Sequence, residues 1–322
     1  MNLQQWKFMQ TTMPEIKQLL LAGKNVQANK EISVLKERQR EYAGDTPLPS
    51  DCKIEAERWY NRLVRPVAGG VLAVCIGLIA LIFPMYKPGC TRFVAMTANL
   101  TAWLLTAFVA SSMGVLWWVS GHVPLSNGPE TMMFMALVAL AGACCCRDLM
   151  LRGGLLVVAA ISLFVATMGG RTPHIGAMMP VLASPLLSVH VAVIMISYTM
   201  FFLMAILAAM ALAVKNSVRR ARLTHLNHII LTPAVCLLGA GIFIGAVWAN
   251  QTWGRYWGWD PKETCALVMW LIYALPLHSG IRHLAFFRRD RAFNIYILSA
   301  ILSVLFTYFG ANYLLPGLHS YA

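Results

Sequence analysis

The amino-acid sequence predicts an all-α polytopic membrane protein of about eight transmembrane helices with a small polar N-terminal region. Three observations carry that expectation. Hydrophobic residues make up 58% of the 322 and charged residues 12%, and the mean hydropathy is +0.63. The apolar residues fall in long runs, several near the roughly 20 that a helix needs to cross a bilayer. The basic residues between those runs collect on alternate loops, as the positive-inside rule requires of a chain that weaves through a membrane.

Residues 1–66 read as a separate polar region. They hold 11 Lys/Arg and 8 Asp/Glu, with an amphipathic stretch from Glu31 to Tyr42 ahead of the breaker Thr46-Pro47-Leu48-Pro49. Nothing in them reads as a signal peptide or a membrane anchor. Apolar runs follow near 67–85, 93–119, 131–146, 153–170, 187–213, 231–250, 265–281 and 293–315. The third and fourth are short. Turn signals separate several of them: Tyr86-Lys87-Pro88-Gly89, Ser126-Asn127-Gly128-Pro129 and Arg171-Thr172-Pro173. No repeat at a fixed period is visible.

The loops containing Lys87/Arg92, Arg147/Arg152, Lys215/Arg219/Arg220/Arg222 and Arg282/Arg288/Arg289/Arg291 hold 12 basic residues, whereas the opposite set holds only Arg171, Arg255 and Lys262. The first set is therefore expected on the cytoplasmic side of a cytoplasmic (inner) membrane. The loop at 251–263, His122, the start of the fifth span and the C-terminus are expected on the outer side, as are residues 1–66. The formal charge of +13 is mostly topological. It forms no single patch and accompanies no nucleic-acid motif, so nucleic acid is not an expected partner.

The string Trp253-Gly254-Arg255-Tyr256-Trp257-Gly258-Trp259-Asp260-Pro261-Lys262-Glu263 sets four rings and four charged groups between two spans. Two readings stand side by side. Interfacial aromatic belts are ordinary at membrane boundaries, and Asp260-Pro261-Lys262-Glu263 is a good helix start, with Asp as N-cap, Pro at the first helical position and Glu at the third. Alternatively, the rings suit a flat apolar ligand with charged edges, stacking on its face while Arg255 and Lys262 meet its carboxylates. The spacing resembles the tryptophan-rich WWD signature, WGxxWxWDPKE, of the haem-handling cytochrome c assembly proteins, and meets every fixed position. The resemblance extends over about residues 67–322, through Gly121-His122 with Pro124, Asn127 and Glu130, the His190 region before Tyr198 and Phe201, and Tyr273 to His278. Within that family the pattern is most similar to the CcsA (ResC) type of system II cytochrome c synthase. Arg58-Trp59-Tyr60-Asn61-Arg62-Leu63 resembles the segment preceding the CcsA half of fused CcsB–CcsA proteins, which implies the C-terminal half of a larger polypeptide.

The eight histidines sort by position. His225, His228 and His283 lie among cytoplasmic arginines and read as solvated charge; His174 belongs to no motif. His190 and His319 each stand at the outer end of a span. They read either as a core histidine and a tail residue or as axial ligands of a haem iron; the resemblance implies the second. His278 lies within the seventh span, where an ionisable group is a functional candidate by default. A neutral imidazole bonded to a carbonyl freed by Pro276 is the alternative. The resemblance implies a transmembrane haem ligand whose mate belongs to a CcsB/ResB-like membrane partner. His122 and Glu130 flank an outer loop and are read first as structural. The eight cysteines show no Cys-x-x-Cys spacing, so neither a zinc site nor a c-type haem attachment is expected.

The resemblance implies a synthase subunit handling haem b as a substrate. Trp253, Trp257 and Trp259 would form the platform in a haem-binding loop that also holds Tyr256, Arg255 or Lys262 would meet propionates, Asp260 would orient the loop, and thioethers would form on an apocytochrome c Cys-x-x-Cys-His segment. Two rivals stay open: a haem exporter or binding subunit without ligation activity, and a b-type membrane electron carrier.

Overall fold

The computed structural model describes residues 3–43, 49–86, 91–168, 184–278, 280, 287, 289–311 and 314–315. The chain divides into two compact units, residues 1–56 and 57–322. In the first, α1 (Leu3–Leu21) and α2 (Asn25–Ala43) form a hairpin. Ile16, Ala28 and Leu35 are buried, and Arg38 lies 5.7 Å from the centroid of the Phe8 ring. A third helix, α3 (Asp51–Leu63), leads toward the apolar part of the chain.

Among the described residues, a helix stands at each of the eight apolar runs. The helices are α4 (Pro66–Tyr86), α5 (Thr91–Ser120), α6 (Gly128–Cys145), α7 (Leu149–Val165), α8 (Pro185–Ala213), α9 (Ser217–Trp253), α10 (Pro261–Ala274) and α11 (Asp290–Leu305). A π-helical turn, Phe306–Gly310, prolongs α11. Six of the eight are long and apolar enough to cross a membrane: α4, α5, α6, α8, α9 and α11 with its π turn. Helix α7 is equally apolar but has 17 residues, and α10 has 14. Proline explains the second case. Pro276 has no N–H to continue the helical ladder, so α10 passes into a 3-10 turn at Leu275–Leu277 rather than running on to 281. The chain is an all-α, multi-pass membrane protein.

Helix α8 occupies the centre, packing on α6, α7, α9 and α11, and more of its apolar window is buried than in any other of the six helices. Its tightest partner is α9, and small residues make that approach possible. A Cβ on Gly241 would fall 2.5 Å from Ile194, and one on Gly245 would fall 2.6 Å from the His190 ring. With lipid replacing water around the bundle, such close packing and buried hydrogen bonds substitute for hydrophobic burial as the force between helices.

The turns α6–α7 and α8–α9 share one chemistry. Asp148 accepts from the N–H groups of Met150 and Leu151, and Asn216 does the same for Val218 and Arg219. Arg152 donates to the carbonyls of Ala143, Cys146 and Ala95; Arg220 donates to those of Ala211, Val214 and Lys215. Each arginine satisfies the last carbonyls of the helix before it while each Asx side chain caps the helix after it. Arg222 pairs with Asp148 across the two turns. These turns lie together at the end of the bundle where α6 and α8 finish. Arg152, expected as a topological charge in a loop, is 8% exposed and structural.

Candidate functional site

At the other end, where α6, α8 and α10 begin and α9 and the π turn finish, lies a cavity of about 540 Å³. That is the size range of pockets that enclose a whole organic ligand. Five walls meet there: the turn at 125–131, the first four turns of α8, the last turns of α9, the loop leading into α10 with that helix's first turns, and the π turn. His190 stands in the α8 wall with Tyr198 two turns below it on the same face.

One hydrogen bond defines the histidine. His190 Nδ1 is 2.7 Å from the Gly241 carbonyl oxygen, which can only accept, so Nδ1 carries a proton and donates it there. A backbone carbonyl on the far nitrogen is the arrangement that orients a metal-ligating imidazole and raises its basicity. Gly245 leaves the ring its space.

The tryptophan loop is built by a reciprocal cap. Gly254, at φ +73°, ends α9 in the left-handed region, its N–H on the Asn250 carbonyl. Asp260 then opens α10, accepting from the Lys262 N–H at 3.2 Å, while Glu263 Oε2 accepts from Gly258 N–H at 2.8 Å and Asp260 N–H at 3.2 Å. Those two N–H groups flank Trp259. They hold it at φ +55°, a conformation that costs an ordinary residue about 1–2 kcal/mol. The helix start read from the string is present, and its cap shapes a loop that reaches the cavity.

Tyr256, Trp257, Lys262 and Glu263 line the cavity. Trp253, Arg255, Trp259 and Asp260 are not among its lining residues. Trp253 packs edge-on to Trp248 at 4.9 Å, Trp248 itself being in the wall. Trp259 is 70% exposed and meets Trp257 edge-on at 5.8 Å. The exposed Arg255 lays its guanidinium over Gly258. Asp260 is buried at the cap. Lys262 is pulled below the usual lysine range by burial, with the Asp260 carboxylate opposing; a carboxylate arriving in the cavity would relieve that cost.

His122 and Glu130 stand outside the lining and shape the turn beside it. Glu130, 2% exposed, accepts from the Ser126 N–H at 2.8 Å and the Asn127 amide at 2.9 Å, and Asn127 caps the Glu130 N–H in return. The His122 ring lies 3.3 Å from the Ser126 hydroxyl. The side of this turn from Leu125 to Thr131 faces the cavity.

His278 is not at this end. It follows the 3-10 turn beyond α10, exposed, with its N–H on the Leu275 carbonyl at 3.2 Å. Fourteen helical residues and a 3-10 turn separate it from Asp260, a rise of roughly 27 Å. His319, like His174 and His283, lies outside the described residues. Among the described residues no group of three His, Cys, Asp or Glu could hold a metal ion, and Cys52, Cys144, Cys145, Cys146 and Cys265 are free thiols.

Sequence reasoning missed Tyr308 and Thr307, which bring the π turn into the wall. The Tyr308 hydroxyl donates to the Gly128 carbonyl at 3.4 Å and lies 3.5 Å from that of Thr131. Tyr198 was findable, lying eight residues after His190 on one helical face. The register shift that presents Tyr308 has no such signature.

A ligand-sized cavity walled by one histidine, several aromatic rings and a desolvated lysine lies at one end of a bundle of apolar helices, and the class of protein so defined is a multi-pass membrane protein. The chain belongs to the cytochrome c assembly protein family, whose model matches residues 71–319. It is 36% identical over 295 residues to Protein NrfI of Wolinella succinogenes, covering 87% of this chain and 32% of that protein. It is 32% identical over 308 residues to the cytochrome c biogenesis protein CcsA of Synechococcus sp. strain CC9311, covering 80% of this chain and 98% of that one. The CcsA of Chlamydomonas reinhardtii is 30% identical over 292 residues, 81% and 76% of the two chains. The chain thus spans about a third of NrfI and most of these CcsA proteins.

Proposed function

We propose that this chain binds haem b as a substrate in the cavity beside His190 and presents it at the outer face of the membrane for covalent attachment to apocytochrome c, acting with a CcsB/ResB-like membrane protein. The observation that carries this reading is the His190–Gly241 hydrogen bond, which orients an imidazole in the wall of a ligand-sized cavity. Trp257 and Tyr256 supply ring faces for a planar apolar ligand, and Lys262 supplies a desolvated cation for a propionate. His319 is proposed as the second axial ligand and His278 as a haem ligand in a different layer, completed by the partner. The basic asymmetry supports the outward orientation.

Ligation adds each thiol of a Cys-x-x-Cys-His segment across a haem vinyl group. Sulfur bonds to one vinyl carbon, the proton goes to the other, and no electron is gained or lost overall. The chain's contribution is positioning: it holds the macrocycle and leaves the vinyl edge open. His190 would give way to the substrate histidine as an iron ligand.

The test is co-expression with a CcsB-like partner and a Cys-x-x-Cys-His apocytochrome, scoring covalent haem. Wild type is expected to yield thioether-linked haem. His190→Ala should lose both the bound haem spectrum and the product, and added imidazole should restore the spectrum by filling the vacated axial position. Haem retained without covalent product in the wild type would favour the exporter reading. A haem spectrum unchanged in His190→Ala would remove His190 from the site.

A further inference from the structure

The C-terminal half of α3 lies at the cavity end of the bundle, because Tyr60, 3% exposed, is buried against α6 with its hydroxyl 4.0 Å from Met133 Sδ. Its other face is open. Trp59 and Leu63 are 52% and 61% exposed, and in sequence they continue at four-residue steps into Val67 and Val71 on α4, at 48% and 49%. Helix α4 has the highest mean hydropathy of the six spanning candidates, 2.5, so its exposed apolar stripe faces hydrocarbon. The candidate span begins at Pro66. Leu63 and Trp59, one and two turns earlier, then fall at headgroup level, where amphipathic rings settle.

Three arginines accompany them. Arg58, Arg62 and Arg65 are all exposed, and none makes an ion pair with a described residue. Arg62 lies 5.9 Å from the centroid of the Trp59 ring. They gather at the end of the bundle otherwise poor in basic residues, so topology does not account for them.

We propose that the C-terminal half of α3 is an interfacial anchor that binds anionic phospholipid headgroups through Arg58, Arg62 and Arg65, with Trp59 and Leu63 inserted among the upper acyl chains. Continuity with the lipid-facing stripe of α4 selects lipid over a protein surface as the occupant. Tyr60, on the same turn as Trp59, leans on Met133, three residues beyond Glu130 and the turn that walls the cavity. Seating α3 in the headgroup layer therefore also braces that wall.

The experiment uses the full chain in nanodiscs of phosphatidylcholine with or without phosphatidylglycerol. Quenching of tryptophan fluorescence by phosphatidylcholine brominated near the top of its acyl chains is compared between wild type and Trp59→Phe. The proposal expects a strongly quenched component that disappears in the variant; equal fractional quenching in the two proteins overturns it. Phosphatidylglycerol retained through purification is then counted by mass spectrometry in wild type and in Arg58→Gln/Arg62→Gln/Arg65→Gln. Each arginine removed should weaken retention roughly fivefold at low salt, with the effect fading as salt rises. Unchanged retention overturns the headgroup site. Should Trp59 escape the brominated lipid, and Arg58 resist trypsin only when a CcsB-like partner is co-expressed, the face belongs to a protein and the proposal fails. If the triple variant does not fold, the Trp59 comparison in correctly folded protein still decides.

Discussion

His190 and Gly241 are joined across the α8–α9 interface by a 2.7 Å hydrogen bond from an imidazole nitrogen to a backbone carbonyl. Their helices can approach so closely because residues 241 and 245 carry no side chain. The orientation of the site histidine is therefore set by a residue one helical turn from the one that leaves its ring space.

Gly245→Ala should displace the His190 ring, since the added Cβ would stand 2.6 Å from its Cε1. Haem retention should fall roughly tenfold, the usual cost of losing an orienting partner, while the helical content stays unchanged. Absorbance of the purified protein, read beside circular dichroism, checks both. Retention equal to wild type would show that the ring orientation is not what matters.

Glu263→Ala should release Trp259 from its left-handed conformation by removing the acceptor for both flanking N–H groups. The loss of a capping interaction costs about 1 kcal/mol. Limited proteolysis should show faster cleavage between 251 and 263. Asp260→Asn, which keeps an N-cap oxygen, should leave cleavage and haem retention near wild type. A haem loss in Asp260→Asn as large as in Glu263→Ala would give the carboxylate a role beyond capping.

Lys262→Met should stabilise the haem-free protein at neutral pH. Burial holds the folded-state pKa of Lys262 below its ordinary value, whereas the unfolded chain titrates near ~10.4. Below the folded value the cost of burying the charge is fully present. Between the two values the unfolded chain binds more protons, so stability rises with pH across that window. Thermal melts should place the variant above wild type at pH 7, with the gap closing as the pH climbs toward the unfolded value. Its retention of haem should fall severalfold, because the partner for a propionate is gone. A wild-type melt with no alkaline rise relative to the variant would contradict the desolvation account.

Arg152→Lys should behave as a severe change. One ammonium cannot reach three carbonyls that a planar guanidinium spans, and buried acceptors left without donors cost about 1–3 kcal/mol each. Reduced yield of folded protein in detergent is the expected result. Full stability would mean that water replaces the arginine there.

The eight helices were legible because apolar runs of membrane length have few other uses, and the cap at Asp260 and Glu263 was legible because its chemistry is local. The end of α10 was misjudged by several residues: Pro276 was visible, but hydropathy continues past it. The division of the tryptophan loop, with Trp257 in the cavity wall and Trp259 outside it, was not legible. It depends on a left-handed backbone that a carboxylate four residues on enforces, and tryptophan itself does not announce that conformation. Gly241 and Gly245 read in sequence as ordinary small residues of a span. Only the neighbouring helix gives them their meaning.

The shared chemistry of the turns around Arg152 and Arg220 makes each a self-sufficient part. Every donor and acceptor of the motif lies between the final turn of one helix and the first turn of the next, apart from the reach of Arg152 to Ala95 and the pairing of Arg222 with Asp148 between the two turns. Segment 214–220 transplanted in place of 146–152 would carry its own stop and start instructions with it. The corner of the bundle thus has a portable grammar, while the opposite end, where His190 meets the tryptophan loop, is written once and only for its place.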